Sequence, residues 1–151
     1  MTESTANITI TRRFEAPPEV VYRAWTDPRQ FAQWFGTTQT TVEDESMDVV
    51  VDGAWSARMV LGDGSEIGWH GSYLELEPPR RLVLTLSDRP GDLFELVVVQ
   101  LDERDGGAEM TFTQSGDHMP AEQYREAELG WRAFFDDMAS ALVGAGDAAA
   151  G

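Results

Sequence analysis

The chain contains no cysteine, no lysine and only two histidines. Without cysteine there is no disulfide, no thiolate nucleophile and no cysteine-ligated zinc. Without lysine there is no Schiff-base amine and no P-loop lysine. Positive charge is scarce altogether: 27 acidic residues against 11 arginines leave a formal net charge of −16. Such a field repels phosphate backbones and anionic membrane surfaces, which argues against nucleic-acid and membrane partners. No apolar run approaches the roughly 18 residues of a spanning helix. The opening MTESTANITI has neither the basic nor the apolar region of a signal peptide, so a cytoplasmic location is expected. Nucleophile-elbow, P-loop and dinucleotide-binding fingerprints are missing. His70 and His118 stand alone rather than at metal-ligand spacing, so no metal and no cofactor is expected.

What is present is globular. The 151 residues are 42% hydrophobic and 10% aromatic, enough for one domain with a real core. The expected domain runs over 1–143, with 144–151 as a disordered tail beyond Gly144 and Gly146.

The pattern along the chain has three parts. ITITRRFE alternates as a strand, with Ile8, Ile10, Arg12 and Phe14 on one face. Pro17 and Pro18 then open a short helix bearing Val21, Ala24 and Trp25 at helical spacing. Asp27 and Pro28 open a second, with Phe31, Trp34 and Phe35, ended by Gly36. From Gln39 to Ser115, turn signals such as Asp52-Gly53 and Asp63-Gly64 separate β-rich runs with no helix-length segment between them. Parallel crossovers are therefore excluded, and an antiparallel meander of about five or six strands follows, joined by the first strand. Trp55, Ala57, Met59 and Leu61 share an inner face, as do Leu82, Leu84 and Leu86, and Met110 and Phe112. Two runs are ambiguous. LFELVVVQL is apolar on both faces, and EIGWHGSYLELE places Trp69 and Tyr73 opposite Leu74 and Leu76, which a bulge near Gly71 would reconcile.

A final helix begins near Met119-Pro120. Tyr124, Ala127, Trp131, Phe134, Phe135, Met138 and Leu142 form its apolar stripe. Roughly 24 residues at about 1.5 Å each span about 36 Å, enough to cross a sheet. A curved antiparallel sheet needs such a cover, and two bulky surfaces of different curvature leave a gap between them.

ITITRRFEAPPEVVYRAWTDPRQFAQWF, HGSYLELEPPRRLVLT, GGAEMTFTQSG and GWRAFFDDMASAL, in that order, resemble the START-like, Bet v1-like (SRPBCC) superfamily. More narrowly they resemble its bacterial, AHSA1-like branch, related to the C-terminal domain of the Hsp90 ATPase activator. The likeness spans about Ile8 to Leu142. It departs at DGAW, where relatives often carry a glycine pair. It implies an α+β helix-grip fold, β-α-α-β6-α, with a cavity between sheet and long helix. It does not imply one activity.

Three functions are expected from this. The first is binding of a small apolar or aromatic molecule in the cavity. The second is a cyclase- or hydrolase-type enzyme acting on a hydrophobic, polyketide-like substrate there, with one or two polar groups drawn from His70, Arg12 or Tyr73. The third is an Hsp90-activator-like co-chaperone or stress-response interaction protein. Under any of the three the chain is expected as a monomer or homodimer. No catalytic constellation stands out, which ranks binding above catalysis. Candidate wall residues are Trp34, Phe35, Trp55, Met59, Trp69, Phe94, Phe112, Trp131, Phe134, Phe135 and Met138. Each reads equally as core. Within the last helix, Trp131 and Phe135 are expected to pack, and Phe134 and Met138 to line the void. Arg12, His70 and Gln114 are the polar candidates, with Gln100 on the same expected inner face as Phe94. Arg12 reads alternatively as a strand-end residue, and His70 as a general base or a surface side chain. Both ligand readings need a void of at least about 150 Å³.

Overall fold

The computed structural model describes residues 7–35, 41–87, 94–116 and 120–150. Gly36, His118, Met119 and most of the Ser-Asp-Arg-Pro-Gly-Asp turn lie outside the described residues. The elements run β1 (Ile8–Phe14), α1 (Pro18–Thr26), α2 (Pro28–Trp34), β2 (Thr41–Met47), β3 (Ala54–Val60), β4 (Glu66–Glu77), β5 (Arg81–Leu86), β6 (Glu95–Arg104), β7 (Gly107–Ser115) and α3 (Ala121–Ala150). The sheet has seven strands in the order β1-β7-β6-β5-β4-β3-β2, each neighbouring pair antiparallel. Six strands form the meander and β1 closes it by pairing with β7, Ile10 opposite Phe112. This is the α+β helix-grip architecture that the pattern implied.

The two short helices make a corner through one residue. Asp27 caps the C-terminus of α1, and its carboxylate accepts from the Arg29 and Gln30 amides at 2.9 and 3.2 Å at the start of α2. Pro18 and Pro28 occupy first-turn positions, where a missing N–H costs nothing. Val21, Trp25, Phe31 and Trp34 are thereby buried against the concave face of the sheet. The Trp34 indole donates to the Ala24 carbonyl at 2.8 Å, locking α2 to α1.

Three local readings are corrected. In β6 the inward residues are Glu95, Val97, Val99 and Leu101, so Gln100 and Phe94 belong to the other face. Phe94, a candidate wall residue, is 51% exposed. Both faces of β6 are apolar because its outer face is half-covered as well, which erases the alternation. In β4 the register shift lies between Tyr73 and Glu75 rather than at Gly71. Leu74 is the extra residue and is exposed, Tyr73 points in, and Leu76 returns to the core side. Gly71 has another purpose: a Cβ there would overlap the Thr85 carbonyl oxygen and crowd the Trp55 indole nitrogen. Finally, α3 does not stop at Gly144 but continues as backbone helix to Ala150. Each glycine costs about 1 kcal/mol in a helix, and the alanines around them restore propensity.

Candidate functional site

The site is the space between α3, the α1–α2 corner and the concave sheet face. The α3 stripe buries Tyr124, Trp131, Phe135, Met138 and Leu142, the expected spacing. Aromatic rings fill the centre. Trp131 lies 4.6 Å from Phe112, and Trp25 packs edge-on to Trp34 at 4.7 Å. Phe31 stacks on Phe35 at 4.4 Å.

A void remains among these rings. It is lined by Trp25, Phe31, Phe35, Met47, Trp55, Tyr73, Leu84, Leu86 and Trp131, and measures about 10 Å³. That is room for a single water, far below the ~150 Å³ an organic ligand requires. The expectation of a preformed, ligand-sized gap is therefore not met by these residues. The large rings of the two surfaces interleave instead of facing each other across space.

Of the candidate wall residues, Phe35, Trp55 and Trp131 line this void. Trp34, Met59, Phe112, Phe135 and Met138 are buried core and do not line it. Trp69 is half-buried, its ring 5.8 Å from that of Phe35. Phe134 is half-buried against Phe35 and Trp131. The expected division of α3 thus fails for three of its four residues: Trp131 reaches this void, and neither Phe134 nor the fully buried Met138 lines it. The candidate walls also left out Trp25, Phe31, Met47, Leu84 and Leu86, and Tyr73 was expected there only as a polar group of the enzymatic reading. Trp25 and Phe31 carried the signal, since both were legible as inward stripe residues of the short helices.

The polar candidates have other duties. Arg12 shares the face of Ile8, Ile10 and Phe14, as read, but sits where that face meets solvent. Its guanidinium pairs with Asp136 on α3 at 2.6 Å and lies over the Phe14 ring. His70 is exposed on the face of β4 opposite Trp69 and Tyr73. Gln114 is buried and fully committed. Its side-chain oxygen accepts from the Trp131 indole at 2.6 Å, and its amide nitrogen donates to Glu95 at 2.9 Å. The second Glu95 oxygen accepts from the Tyr124 hydroxyl at 3.0 Å. This buried carboxylate network, which ties β6 and β7 to α3, was not foreseen. A glutamate in an apolar run reads as outward-facing, and with both faces of that run apolar its parity does not decide the matter.

Burial raises the Tyr73 hydroxyl well above the usual tyrosine range, and the charges of Tyr22 and Asp48 add to the effect. Burial alone raises Tyr22. Both hydroxyls are therefore neutral donors at physiological pH. Among the described residues no group of three or more acidic or histidine side chains is placed to hold a metal ion. No helix there is long and apolar enough to cross a membrane.

Residues 15–143 match the family model described as Activator of Hsp90 ATPase homolog 1-like protein. A Chromobacterium violaceum protein of known structure is 29% identical, with a TM-score of 0.79 over 88% of this chain and 94% of its own. A Nitrosomonas europaea protein superimposes with a TM-score of 0.80 over 93% of this chain and 96% of its own; at 21% identity the likeness is one of fold. DynU16, a protein of the dynemicin biosynthetic locus, is 25% identical with a TM-score of 0.71, the match taking in 89% of this chain and 46% of DynU16. No curated protein matches the chain.

Proposed function

The chain belongs to the Activator of Hsp90 ATPase homolog 1-like family, and from that premise we propose that it binds a small apolar or aromatic molecule between the sheet and α3, at a site that is closed when empty. The observation that carries this reading is the central void, whose nine wall residues include six aromatic ones. Such walls suit a ligand with an apolar body and few polar groups. Because the void holds only about 10 Å³, binding requires the walls to part.

The α2 side is the part best suited to move. Helix α2 has seven residues and contributes Phe31 and, at its C-terminal cap, Phe35. Exposing one phenylalanine costs about 1.5–3 kcal/mol, which lowers the apparent affinity by about 10- to 100-fold relative to a preformed site. A micromolar rather than nanomolar ligand is expected. The likeness to DynU16 is in keeping with a small-molecule role. An enzymatic reading finds less support, since Arg12 and Gln114 are engaged in the fold, His70 faces away from the void, and burial makes the one polar candidate at its wall, the Tyr73 hydroxyl, harder to ionise.

Thermal-shift screening against aromatic polyketides, fatty acids and sterols tests the proposal, together with native mass spectrometry of protein purified from its source. A true ligand raises the melting temperature by linkage. Failure of every class to stabilise the protein, with no retained mass, would refute it.

A further inference from the structure

Buried donors in folded proteins are almost always hydrogen-bonded, and three of the five tryptophans here follow that rule. Trp34, Trp55 and Trp131 donate to the Ala24 carbonyl, the Thr85 carbonyl and the Gln114 amide oxygen. Trp25 and Trp69 do not. Among the described residues, the buried side-chain polar atoms without a partner are Trp25 Nε1, Trp69 Nε1 and the Tyr22 hydroxyl. Trp25 is 2% exposed and Tyr22 is 8% exposed, so neither is satisfied by bulk water.

One of these orphans belongs to a residue that lines the void, and a second to a residue packed against one of its walls. Trp25 is one of its walls. Tyr22 lies one turn earlier on the same buried face of α1. Trp69 sits against Phe35, a second wall. Two of the three orphans are donors only, and the third can donate as well as accept. An indole N–H can only donate, and a neutral tyrosine hydroxyl without a partner can donate too. A pure hydrocarbon would leave all of them unsatisfied.

We infer that the molecule bound between the sheet and α3 carries a carbonyl-type acceptor oxygen on its apolar body, and that Trp25 and Tyr22 select for that oxygen. The inference rests on the binding reading above and specifies the ligand class of the same site. It makes α1, rather than the long α3, the element that sets specificity.

Indanone and indane test it, because they share a ring skeleton and differ by a carbonyl in place of a methylene. Indane is the more hydrophobic, so without carbonyl recognition it binds more tightly from water. With recognition, indanone binds at least about tenfold more tightly, because it satisfies donors that are otherwise stranded. Affinities are read by fluorescence titration of the full-length protein. Indole N–H signals in nitrogen-labelled protein locate the binding, and the Trp25 signal is expected to move downfield with indanone only. Tyr22→Phe, which keeps the ring, and Trp25→Phe each bring the affinity ratio toward one. The Tyr22 variant carries the test if the Trp25 variant misfolds. Equal binding of both compounds at the Trp25 and Trp131 signals overturns the carbonyl inference and leaves the apolar site standing. Binding of neither overturns the carbonyl inference, and the thermal-shift screen then decides the apolar site separately.

Discussion

Replacing Gln114 with leucine tests the buried network that anchors α3. The wild-type side chain is 3% exposed and serves two partners, Trp131 at 2.6 Å and Glu95 at 2.9 Å. Leucine fills a similar volume, so the cost is polar rather than a cavity. The Trp131 indole, in a residue 6% exposed, loses its acceptor, and a stranded buried donor costs about 1–3 kcal/mol. Glu95, also 6% exposed, loses a hydrogen bond to a charged group, about 1.5–3 kcal/mol. Allowing for relaxation, Gln114→Leu should cost about 3–5 kcal/mol. For a chain of this size each kcal/mol moves the melting temperature by about 2–4 °C, so a fall on the order of 10 °C is expected. Urea unfolding at neutral pH, followed by tryptophan fluorescence and circular dichroism, gives the free energy directly. Adding Glu95→Leu removes the carboxylate that has lost its Gln114 donor. The double variant should then be more stable than the sum of the single losses predicts, by about 1.5–3 kcal/mol. A Gln114→Leu loss below about 1 kcal/mol, or strict additivity with Glu95→Leu, would refute the reasoning.

Other variants probe the remaining parts. Gly71→Ala places a methyl group against the Thr85 carbonyl and the Trp55 indole, and should abolish folding or cost at least about 3 kcal/mol by chemical denaturation. Asp27→Ala removes the cap shared by α1 and α2 and should cost about 1 kcal/mol. Arg12→Met removes an ion pair whose partners are 31% and 70% exposed; the expected loss is under about 1 kcal/mol, with ligand binding unchanged. Tyr73 and Tyr22 have raised pKa values. In the unfolded chain tyrosine ionises near pH 10 while the folded side chains hold their protons, so the unfolded state binds fewer protons and stability falls as pH rises above about 10. Tyr73→Phe should flatten that fall in denaturation curves measured across the alkaline range; an unchanged slope would remove Tyr73 as its cause.

Much of the architecture was legible because residue type and period agreed. Trp55, Ala57 and Met59 alternate cleanly, Asp27-Pro28 marks a helix start, and the α3 stripe from Tyr124 to Leu142 holds its spacing. Legibility failed where two causes produce one pattern. Val97 to Val99 is apolar on both faces, so parity alone could not tell that Glu95 points in and Phe94 out. The β4 bulge was sensed from Trp69, Tyr73 and Leu76, but its position at Leu74 depends on pairing with β5, which is a long-range property. The void is harder still. Its size depends on how the rings of Trp25, Phe35, Trp55 and Trp131 settle against each other, and a few tenths of an ångström per ring separate a packed core from a cavity. Unpartnered donors such as Trp25 Nε1 are likewise invisible in a sequence, because every tryptophan carries the same N–H.

The central claim is that the aromatic site between the sheet and α3 opens to hold a small apolar molecule. The most direct test is a crystal structure of the full-length protein with whichever compound stabilises it most in the thermal screen. The account predicts the compound between Phe31, Phe35 and Trp131, with the void enlarged from about 10 Å³ to the ligand's own volume and the Glu95–Gln114–Trp131 network intact. A compound seated elsewhere, over rings that keep their present packing, would contradict it.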